Sequence, residues 1–368
     1  MKRLLLLLPI LLLVFFPQKQ AYAQFDDMAE ILRGGANDSN LLFEKYVSPY
    51  AVGLGANLNT GWNNSARPYR TLGFDLKLSA ALAFVPGSDE LFNVEDLVPQ
   101  FQELELFSES GLTPTVAGSD DIARANLGKT FINPATGQEE ELFDFTMPRG
   151  SGWSLVPTPM VQATVGLIRD TDLSLRFVPT ISVPDSDGEF NLFGFSVKHG
   201  INQYLPGGTV LPIDLSVQFG YTKLNLDLPT RVDPESGGDI RDDFAASNWD
   251  GQNIELGASA YNVNLLVGRN LPLIAVFAGV GYQSSNTYVK ANGAFPVTVV
   301  NEQYDGVNDA RPRAIEEIVN PIDFDIDGRN SVHALAGFRV RLGFIALSAS
   351  YTVSEYPVAN VGVGLSFR

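Results

Sequence analysis

The sequence predicts an all-β chain that crosses a membrane as a closed antiparallel barrel of about twelve strands, with fourteen as the alternative, preceded by a short helical segment. Three observations support this prediction: a regular alternating strand at the end of the chain, an export signal at its start, and a series of alternating segments between them. A barrel accounts for all three, because it pairs its last strand with its first and leaves no open sheet edge.

The last segment of the chain alternates between an apolar face and a small or polar face. Phe367, Leu365, Val363 and Val361 share the apolar face, which is typical of a strand exposed to lipid or to a core on one side. The aromatic end resembles the C-terminal signature that the outer-membrane insertion machinery reads, although Arg368 follows it here. We therefore expect Phe367 to be an assembly signal and the barrel-assembly machinery to be a partner. The alternative is the edge strand of a soluble β-sandwich.

The start of the chain predicts export to the outer membrane. A basic head precedes an apolar run over 4–16, which is too short for a membrane-spanning helix of about 20 residues. A small-x-small pattern at 21–23 fits a signal-peptidase site. We expect residues 1–23 to be a signal peptide that is cleaved before Gln24.

Composition excludes several classes of function. The chain has no cysteine, which rules out disulfides, thiol catalysis and cysteine-ligated metals. Its formal net charge of −17 becomes −20 once the signal peptide is removed, so it has no electrostatic attraction to nucleic acid. A mean hydropathy near zero, with 34 glycines and 24 phenylalanines, is typical of membrane barrels.

Eleven segments alternate clearly enough to be predicted as strands. The first is 52–58, the second is 72–84 and the most regular is 210–224, where Val217 falls on the apolar face and Gln218 on the polar face. Bacterial barrels have an even number of strands, so we expect one more strand than the eleven segments show.

The connections between these segments alternate in length. Tight turns are predicted at 169–171, 206–208, 268–270 and 341–343. Long loops are predicted at 86–150, 227–253 and 291–329, and they hold 28 of the 42 acidic residues. Short turns at one end and long loops at the other are typical of membrane barrels.

A helical segment precedes the barrel, which divides the mature chain into 24–48 and 49–368. Phe25, Met28, Ile31 and Leu32 share one helical face, a second short helix is predicted at 41–47, and Pro49 is expected to end it. The segment is either a periplasmic leader or a plug. Because its apolar stripe needs burial, we expect it to occupy the barrel.

Seven polar side chains fall on the face opposite the lipid-facing one. They are either an ion-paired lining that fills a modest barrel or the wall of a polar permeation path. The predicted lumen-lining residues are Asp75, Lys77, Arg176, Lys198, Asp214, Gln218 and Arg339.

One acidic motif is a candidate calcium site at the surface, and calcium is the only cofactor that the sequence suggests. Asp323, Asp325 and Asp327, followed by Gly328, match the first half of a calcium loop. Ala334 stands where such a loop has its final glutamate, so the motif is not an EF-hand. The alternative is the turn chemistry of Asp-Gly sequences.

A serine and a histidine two residues apart form a candidate catalytic pair. Ser331 and His333 share one face of a predicted strand. Barrel phospholipases and deacylases carry the histidine before the serine, and a third orienting group is needed. We therefore expect no catalytic residues and no enzyme activity.

Residues 46–86 resemble the opening of an uncharacterised outer-membrane protein family of Bacteroidota-type bacteria. The most specific part is the run GWNNSARP at 61–68. That family has no assigned activity, so the resemblance implies a barrel but no site residues. The layout of a helical segment before a barrel is also similar to long-chain fatty-acid transport barrels, whose N-terminus forms a hatch.

The function expected from the sequence is passive or plugged transport of a small molecule across outer-membrane lipid, and a hydrophobic molecule is one option. The alternative is a structural or surface-interaction barrel whose acidic loops bind partners or cations without transport.

Overall fold

A computed structural model describes the chain from residue 31 onward. The described residues are 31–182, 187–206, 211–234, 238–240, 249–308, 311–329 and 331–367. The predicted signal peptide, the predicted cleavage site before Gln24, and Phe25, Met28 and Arg368 lie outside them.

A long helix is followed by strands. A 3-10 turn, Leu32–Gly34, leads into α1, Gly35–Asn59. The first strands are β1 Phe74–Phe84, β2 Leu91–Asn93, β3 Glu105–Leu106, β4 Leu112–Pro114, β5 Asn126–Ile132, β6 Glu139–Thr146, β7 Leu155–Leu167, β8 Thr171–Ser182, β9 Glu189–Gly200 and β10 Asp214–Pro229. The remaining strands are β11 Asp239–Ile240, β12 Asn253–Asn270, β13 Ile274–Asn292, β14 Ala294–Val300, β15 Arg313–Val319, β16 Ile322–Asp327, β17 Ser331–Leu342, β18 Ile345–Val353 and β19 Val358–Phe367. Short 3-10 helices occur at Gly87–Asp89, Val94–Asp96, Val98–Gln100 and Asn202–Tyr204.

Ten strands close into an antiparallel barrel. Their order is β1-β7-β8-β9-β10-β12-β13-β17-β18-β19 and back to β1. The closing pair runs from Phe74 opposite Phe367 to Ala83 opposite Val358. The predicted closed barrel is confirmed, but the predicted number of twelve strands, and the alternative of fourteen, are wrong. Ten of the eleven alternating segments are barrel strands, and the segment at 52–58 is helix.

Three tight turns lie at one end of the barrel and the three long loops at the other, and these ends are here called the turn end and the loop end. At the turn end, β7–β8, β12–β13 and β17–β18 are joined by 168–170, 271–273 and 343–344. The turns predicted at 268–270 and 341–343 are therefore displaced, because β12 and β17 continue further than expected. At the loop end lie 85–154, 230–252 and 293–330. The turn predicted at 206–208 falls largely outside the described residues.

The helix α1 contradicts two predictions about the N-terminal segment. Pro49 lies inside α1, and the barrel therefore does not begin at residue 49. Proline removes one helical hydrogen bond, but the second half of α1 packs inside the barrel, and tertiary packing decides most helical stability. A helix that is contacted on all sides is apolar all round. The residues at 52–58 are largely apolar because they belong to such a helix. The sequence pattern could not distinguish this from the alternation of a strand.

One glycine shows how closely α1 approaches the wall. A Cβ atom added to Gly53 would lie 2.7 Å from Cγ2 of Val156 on β7. A larger residue at position 53 would force the helix and the wall apart.

The loop-end segments fold into a cap with a hydrophobic core of its own. The cap consists of residues 31–47 and the described parts of the three long loops. It contains two small sheets, β3-β5-β6 and β11-β15-β14, and the pair β2-β4, while β16 pairs with the loop end of β13. Its core contains Ile31, Leu42, Phe43, Val94, Leu97, Leu104, Leu127, Leu142, Phe143, Phe145, Met147 and Phe295.

The outer surface of the barrel is apolar along successive strands. Val217 and Phe219 on β10 are 40% and 39% exposed, whereas Gln218 between them is 1% exposed. The same alternation runs from Phe74 to Phe84 on β1. Among the described residues, no helix is both long enough and apolar enough to cross a membrane.

Val217→Arg is expected to destabilise the barrel in a membrane by about 2–4 kcal/mol, because the charge would sit on the lipid-facing surface. The matched control is Asn225→Arg on the same face of β10, beyond the exposed apolar row. Urea unfolding in lipid vesicles measures both effects, and equal costs would show that this face does not meet lipid. Gln218→Arg is not a suitable control, because Gln218 is buried inside the barrel.

Phe367→Ala is expected to reduce the amount of assembled barrel in cells. Phe367 ends β19 opposite the first residue of β1, so it lies where the barrel closes, and its proposed role as assembly signal requires the aromatic ring. Heat-modifiable electrophoretic mobility quantifies the folded fraction, and Val361→Ala on the same face is the control. An unchanged folded fraction would remove the assembly-signal hypothesis.

Candidate functional site

The lumen of the barrel is filled by its own chain. The segment 58–70, here called the lumen segment, connects the end of α1 with the start of β1. At the loop end, Asn57 Nδ2 donates to the carbonyl oxygen of Val156 at 2.6 Å. At the turn end, the backbone N–H of Leu72 donates to Gly166 at 2.8 Å. The chain therefore enters at the loop end, traverses the lumen and begins β1 at the turn end.

Arg176 binds the C-terminal end of α1. Its guanidinium donates to the carbonyl oxygens of Leu58 (3.1 Å) and Thr60 (2.6 Å). It also stacks on Trp62, with 3.5 Å between Cζ and the ring centroid. The last carbonyls of a helix have no partner within the helix and carry partial negative charge. Arg176, which is 1% exposed, satisfies two carbonyls there with a full positive charge.

The next turn of the lumen segment depends on a glycine. Gly61 has φ +73°, and an added Cβ atom would lie 2.6 Å from Oδ1 of Asn360. Lys77 donates to the carbonyl oxygen of Gly61, and Asn360 Nδ2 donates to Oγ1 of Thr60 at 2.9 Å. Both the left-handed backbone and the close contact favour glycine here.

Further carbonyls of the lumen segment accept hydrogen bonds from other strands. Gln162 Nε2 donates to Trp62 O at 3.1 Å. Lys198 Nζ donates to Ser65 O at 3.1 Å. The backbone of an extended segment forms no regular hydrogen bonds within itself, and buried backbone N–H and C=O groups need partners. In this lumen, wall side chains take the place of a strand ladder.

Ion pairs hold the segment near the turn end. Asp172 accepts from the backbone N–H of Tyr69 at 2.7 Å and pairs with Lys198 at 3.1 Å. Arg339 donates to the hydroxyl of Tyr69 at 2.7 Å. Arg67 pairs with Asp214 at 2.7 Å. These charges are paired or hydrogen-bonded, as burial requires.

Two of the predicted lumen-lining residues, Asp75 and Gln218, contact asparagine side chains of the lumen segment. Asn64 Nδ2 approaches Oδ1 of Asp75 at 3.5 Å, and Asn63 Nδ2 donates to Oε1 of Gln218 at 3.3 Å. Gln218 also accepts from Asn264 at 2.6 Å.

The structure brings all seven predicted lumen residues to the inner face, where each contacts the lumen segment directly or through its side chains. Sequence reasoning missed their binding partner, the lumen segment, together with the wall residues Gln162, Asp172, Ser216 and Asn360. The available signal was the polar, non-alternating run at 61–68, which is also the most specific part of the family resemblance.

The loop-end half of the lumen is apolar instead. There α1 packs against small and medium apolar side chains of the wall, among them Ala81, Val156, Met160, Val178, Leu192, Leu224 and Ala258. A crevice beside Gln283, Arg329 and Tyr356 has a volume of about 10 Å³, which is room for one water molecule. The lumen thus has an apolar half around α1 and a polar half around the lumen segment.

The calcium motif folds as a strand, not as a loop. Asp323, Asp325 and Asp327 lie on β16, where alternate side chains stand along one face and do not converge on a single cation. Asp323 pairs with Lys290 at 3.2 Å, and Asp327 accepts from Asn286 at 3.2 Å. In the described part of the chain, no three histidine, aspartate or glutamate side chains are placed so that they could hold a metal ion together. The predicted site therefore lacks the geometry of a calcium loop.

The predicted pair Ser331 and His333 lies on β17. His333 is 4% exposed, and its Nε2 lies 2.7 Å from Oδ1 of Asn264. The histidine therefore belongs to the polar network of the lumen that includes Gln218.

Several solved barrel proteins resemble this chain weakly. The attachment invasion locus protein Ail of Yersinia pestis is 8% identical with a TM-score of 0.24, over 81% of this chain and 99% of that one. The translocator domain of the autotransporter NalP from Neisseria meningitidis is 10% identical with a TM-score of 0.28, over 92% and 99%. The outer membrane transporter YddB from Escherichia coli is 12% identical with a TM-score of 0.25, over 87% and 49%. Such scores carry no argument, and the barrel assignment rests on the closed strand order.

No curated protein matches the chain. A family model described as a family of unknown function, DUF6588, matches residues 1–367. With nearly the whole chain matched, the protein belongs to the DUF6588 family.

Proposed function

We propose that the protein is an outer-membrane barrel that is closed along its axis by its own chain and that acts at the cell surface through its cap. The supporting observation is the filled lumen, in which wall side chains bind the carbonyls of the lumen segment. The apolar outer surface fits membrane lipid, and the long loops fit the extracellular end. The acidic loops are then the surface offered to partners or cations.

The closed state has a structural basis at both ends of α1. The first half of α1 contributes Leu42 and Phe43 to the core of the cap. The second half contributes Val52, Ala56 and Leu58 to the apolar half of the lumen. A solute that moves along the axis would have to displace the helix, the lumen segment and part of the cap together.

Cysteine labelling of intact cells tests the orientation. The chain has no cysteine, so Val307→Cys in the cap (88% exposed) and Phe344→Cys at the turn end (58% exposed) each supply a single thiol. A membrane-impermeant maleimide is expected to label Val307→Cys in intact cells and Phe344→Cys only after the outer membrane is permeabilised. The reverse pattern would place the cap in the periplasm and end the surface proposal.

Plugged transport of a small molecule, polar or hydrophobic, is the second candidate. It is favoured by the charged inner wall, because Lys77, Arg176, Lys198 and Arg339 would line a polar path if the lumen segment withdrew. On this reading the closed form is a resting state, and transport requires movement of α1.

A disulfide between α1 and the wall separates the two candidates. A Cβ atom added to Gly53 would lie 3.6 Å from Cβ of Ala83, within the range for a disulfide. The variant Gly53→Cys/Ala83→Cys also carries Val156→Ala, which removes the nearest clash. Solute flux into liposomes that is absent when the pair is oxidised and restored by reductant supports transport, with Gly53→Cys/Val156→Ala as the control. Absence of flux in both states, and in the native protein, supports the closed surface barrel.

A further inference from the structure

Two neighbouring wall strands lose their ladder pairing in the loop-end half of the barrel, and this unpaired stretch is here called the split. Pairing between β7 and β8 runs from Leu167 opposite Thr171 to Gln162 opposite Arg176 and stops there. Both strands are described throughout and continue toward the loop end, to Leu155 and Ser182. On its other side, β7 pairs with β1 as far as Leu155. The pairing is therefore lost only on the β8 side.

Prolines occupy the positions on β7 that should bond to β8. In an antiparallel pair, alternate residues direct their backbone groups to opposite neighbours. Ser154 accepts from Val85 at 2.9 Å, and Gly166 donates to Gly73 at 2.8 Å, so even-numbered residues of β7 face β1. Odd-numbered residues face β8, and Pro157 and Pro159 are among them.

A third proline stands directly opposite. If the register of Gln162 opposite Arg176 continued, Pro159 would face Pro179. Neither proline has a backbone N–H, so this position could form no ladder hydrogen bond in either direction. The register of β8 with β9 also shifts between Val178 and Ile181. The split is thus encoded by the sequence on both of its edges.

The split lies within the lipid-facing band and borders the apolar half of the lumen. Pro159 pairs with Ala80 on β1, inside the outward apolar row of that strand. Phe177, on the outer face of β8, is 61% exposed. Met160 and Val178, on the inner faces of the two edges, are 1% and 6% exposed and pack in the apolar cluster around α1.

The lower limit of the split coincides with the change of polarity inside the barrel. Arg176 and Gln162 form the last paired position, and both bind the lumen segment. The lumen is apolar from this position toward the loop end, and it is charged toward the turn end. A chain that inserted between the two strands would therefore meet the apolar side chains packed around α1, with the polar residues lying toward the turn end.

We propose that the split between β7 and β8 is a lateral binding site for an acyl chain of the surrounding membrane. Its outer rim lies on the apolar outer surface of the barrel, and the side chains packed behind it are apolar. An open sheet edge in hydrocarbon is unfavourable chiefly because of unpaired polar groups. The three prolines lack donors, so fewer unpaired polar groups stand on this edge, and the acceptors at these positions tolerate the lack of a partner better. The proposal concerns the wall and goes beyond the function assigned to the cap.

Photolabelling tests this site. The protein is reconstituted in phosphatidylcholine vesicles that carry a diazirine near the end of one acyl chain, and labelled residues are mapped by mass spectrometry. The inward side chains Met160 and Val178 are expected to be labelled, together with the outward Phe219. Leu224, which is inward and 3% exposed on β10, is expected to stay unlabelled.

The variant Pro159→Val/Pro179→Val restores both donors and uses a residue with high strand propensity. It is expected to lose the label on Met160 and Val178 while Phe219 keeps its label. Pro134→Val, an exposed position in the cap, is the control. Pro159→Val alone, which restores one donor, replaces the double variant if the latter does not assemble.

Two results would overturn the proposal. One is a native protein labelled on Phe219 but not on Met160 or Val178. The other is equal inner labelling in the native and proline-substituted proteins, or labelling of Leu224 as well, because lipid would then reach the lumen by another route.

Discussion

Arg176→Met is expected to loosen the lumen segment and to give the largest functional change of any single substitution in the wall. The guanidinium is the group that binds the carbonyls of Leu58 and Thr60 and stacks on Trp62. Hydrogen bonds to charged groups contribute about 1.5–3 kcal/mol each. Since Thr222 also donates to Leu58, part of the binding survives, and we expect a loss of roughly 3–5 kcal/mol. That loss would raise the open fraction by about a hundredfold or more.

Planar bilayer recordings measure this prediction. The native protein is expected to be silent, and Arg176→Met is expected to show frequent conducting events. Arg176→Lys keeps the charge but not the two-pronged geometry, so an intermediate effect is expected. Arg231→Met, an exposed cap residue (62% side-chain exposure), is the control.

Silence of Arg176→Met, with heat-modifiable mobility showing a folded barrel, would contradict the role given to Arg176. Conduction by the native protein would contradict the closed lumen itself. Deletion of residues 26–35 is not expected to open the barrel, because the lumen is filled by 58–70 and by α1.

The wall of the barrel could be predicted from the sequence because strand alternation is a local property. Lys77, Arg176 and Arg339 each stand between apolar neighbours that face outward, so the inner face followed from position alone. The same reasoning placed Val217 outside and Gln218 inside. Strand ends were less accurate, since β12 continues through Gly268 to Asn270 and β17 extends to Leu342, directly before Gly343.

The contents of the lumen could not be predicted because they depend on contacts between distant parts of the chain. Apart from Asn57, the residues at 52–58 are apolar or glycine because the wall surrounds them, and a short apolar run does not separate helix from strand. Residues 61–68 carry no periodic signal, since their backbone is bound by side chains from four wall strands, β1, β7, β9 and β10, rather than by a neighbouring strand. The prolines of the split were visible in the sequence, but only the strand register shows that Pro159 would stand opposite Pro179.

Asp38→Ala is expected to detach part of the cap from α1 without opening the barrel. Asp38 is 0% exposed and lies in the first turn of α1, where a negative charge also fits the helix dipole. Its carboxylate accepts from three successive backbone N–H groups, of Gln102 (2.9 and 3.1 Å), Glu103 (2.8 Å) and Leu104 (2.9 Å). Alanine would leave these three donors without their acceptor.

A buried donor without a partner costs about 1–3 kcal/mol. The bond to Leu104 is buried and those to Gln102 and Glu103 are part-buried, so the predicted loss of cap stability is roughly 2–4 kcal/mol. Hydrogen exchange of the peptide that covers 101–106 is expected to accelerate strongly in Asp38→Ala, while barrel strands keep their protection. Asp38→Asn is expected to behave similarly, because its amide N–H₂ would face donors. Asp96→Ala, an exposed acid of the same loop, is the control. If exchange at 101–106 does not change, the cap is held to α1 by its hydrophobic core alone. The carboxylate of Asp38 is then not the link between the cap and the helix that fills the lumen.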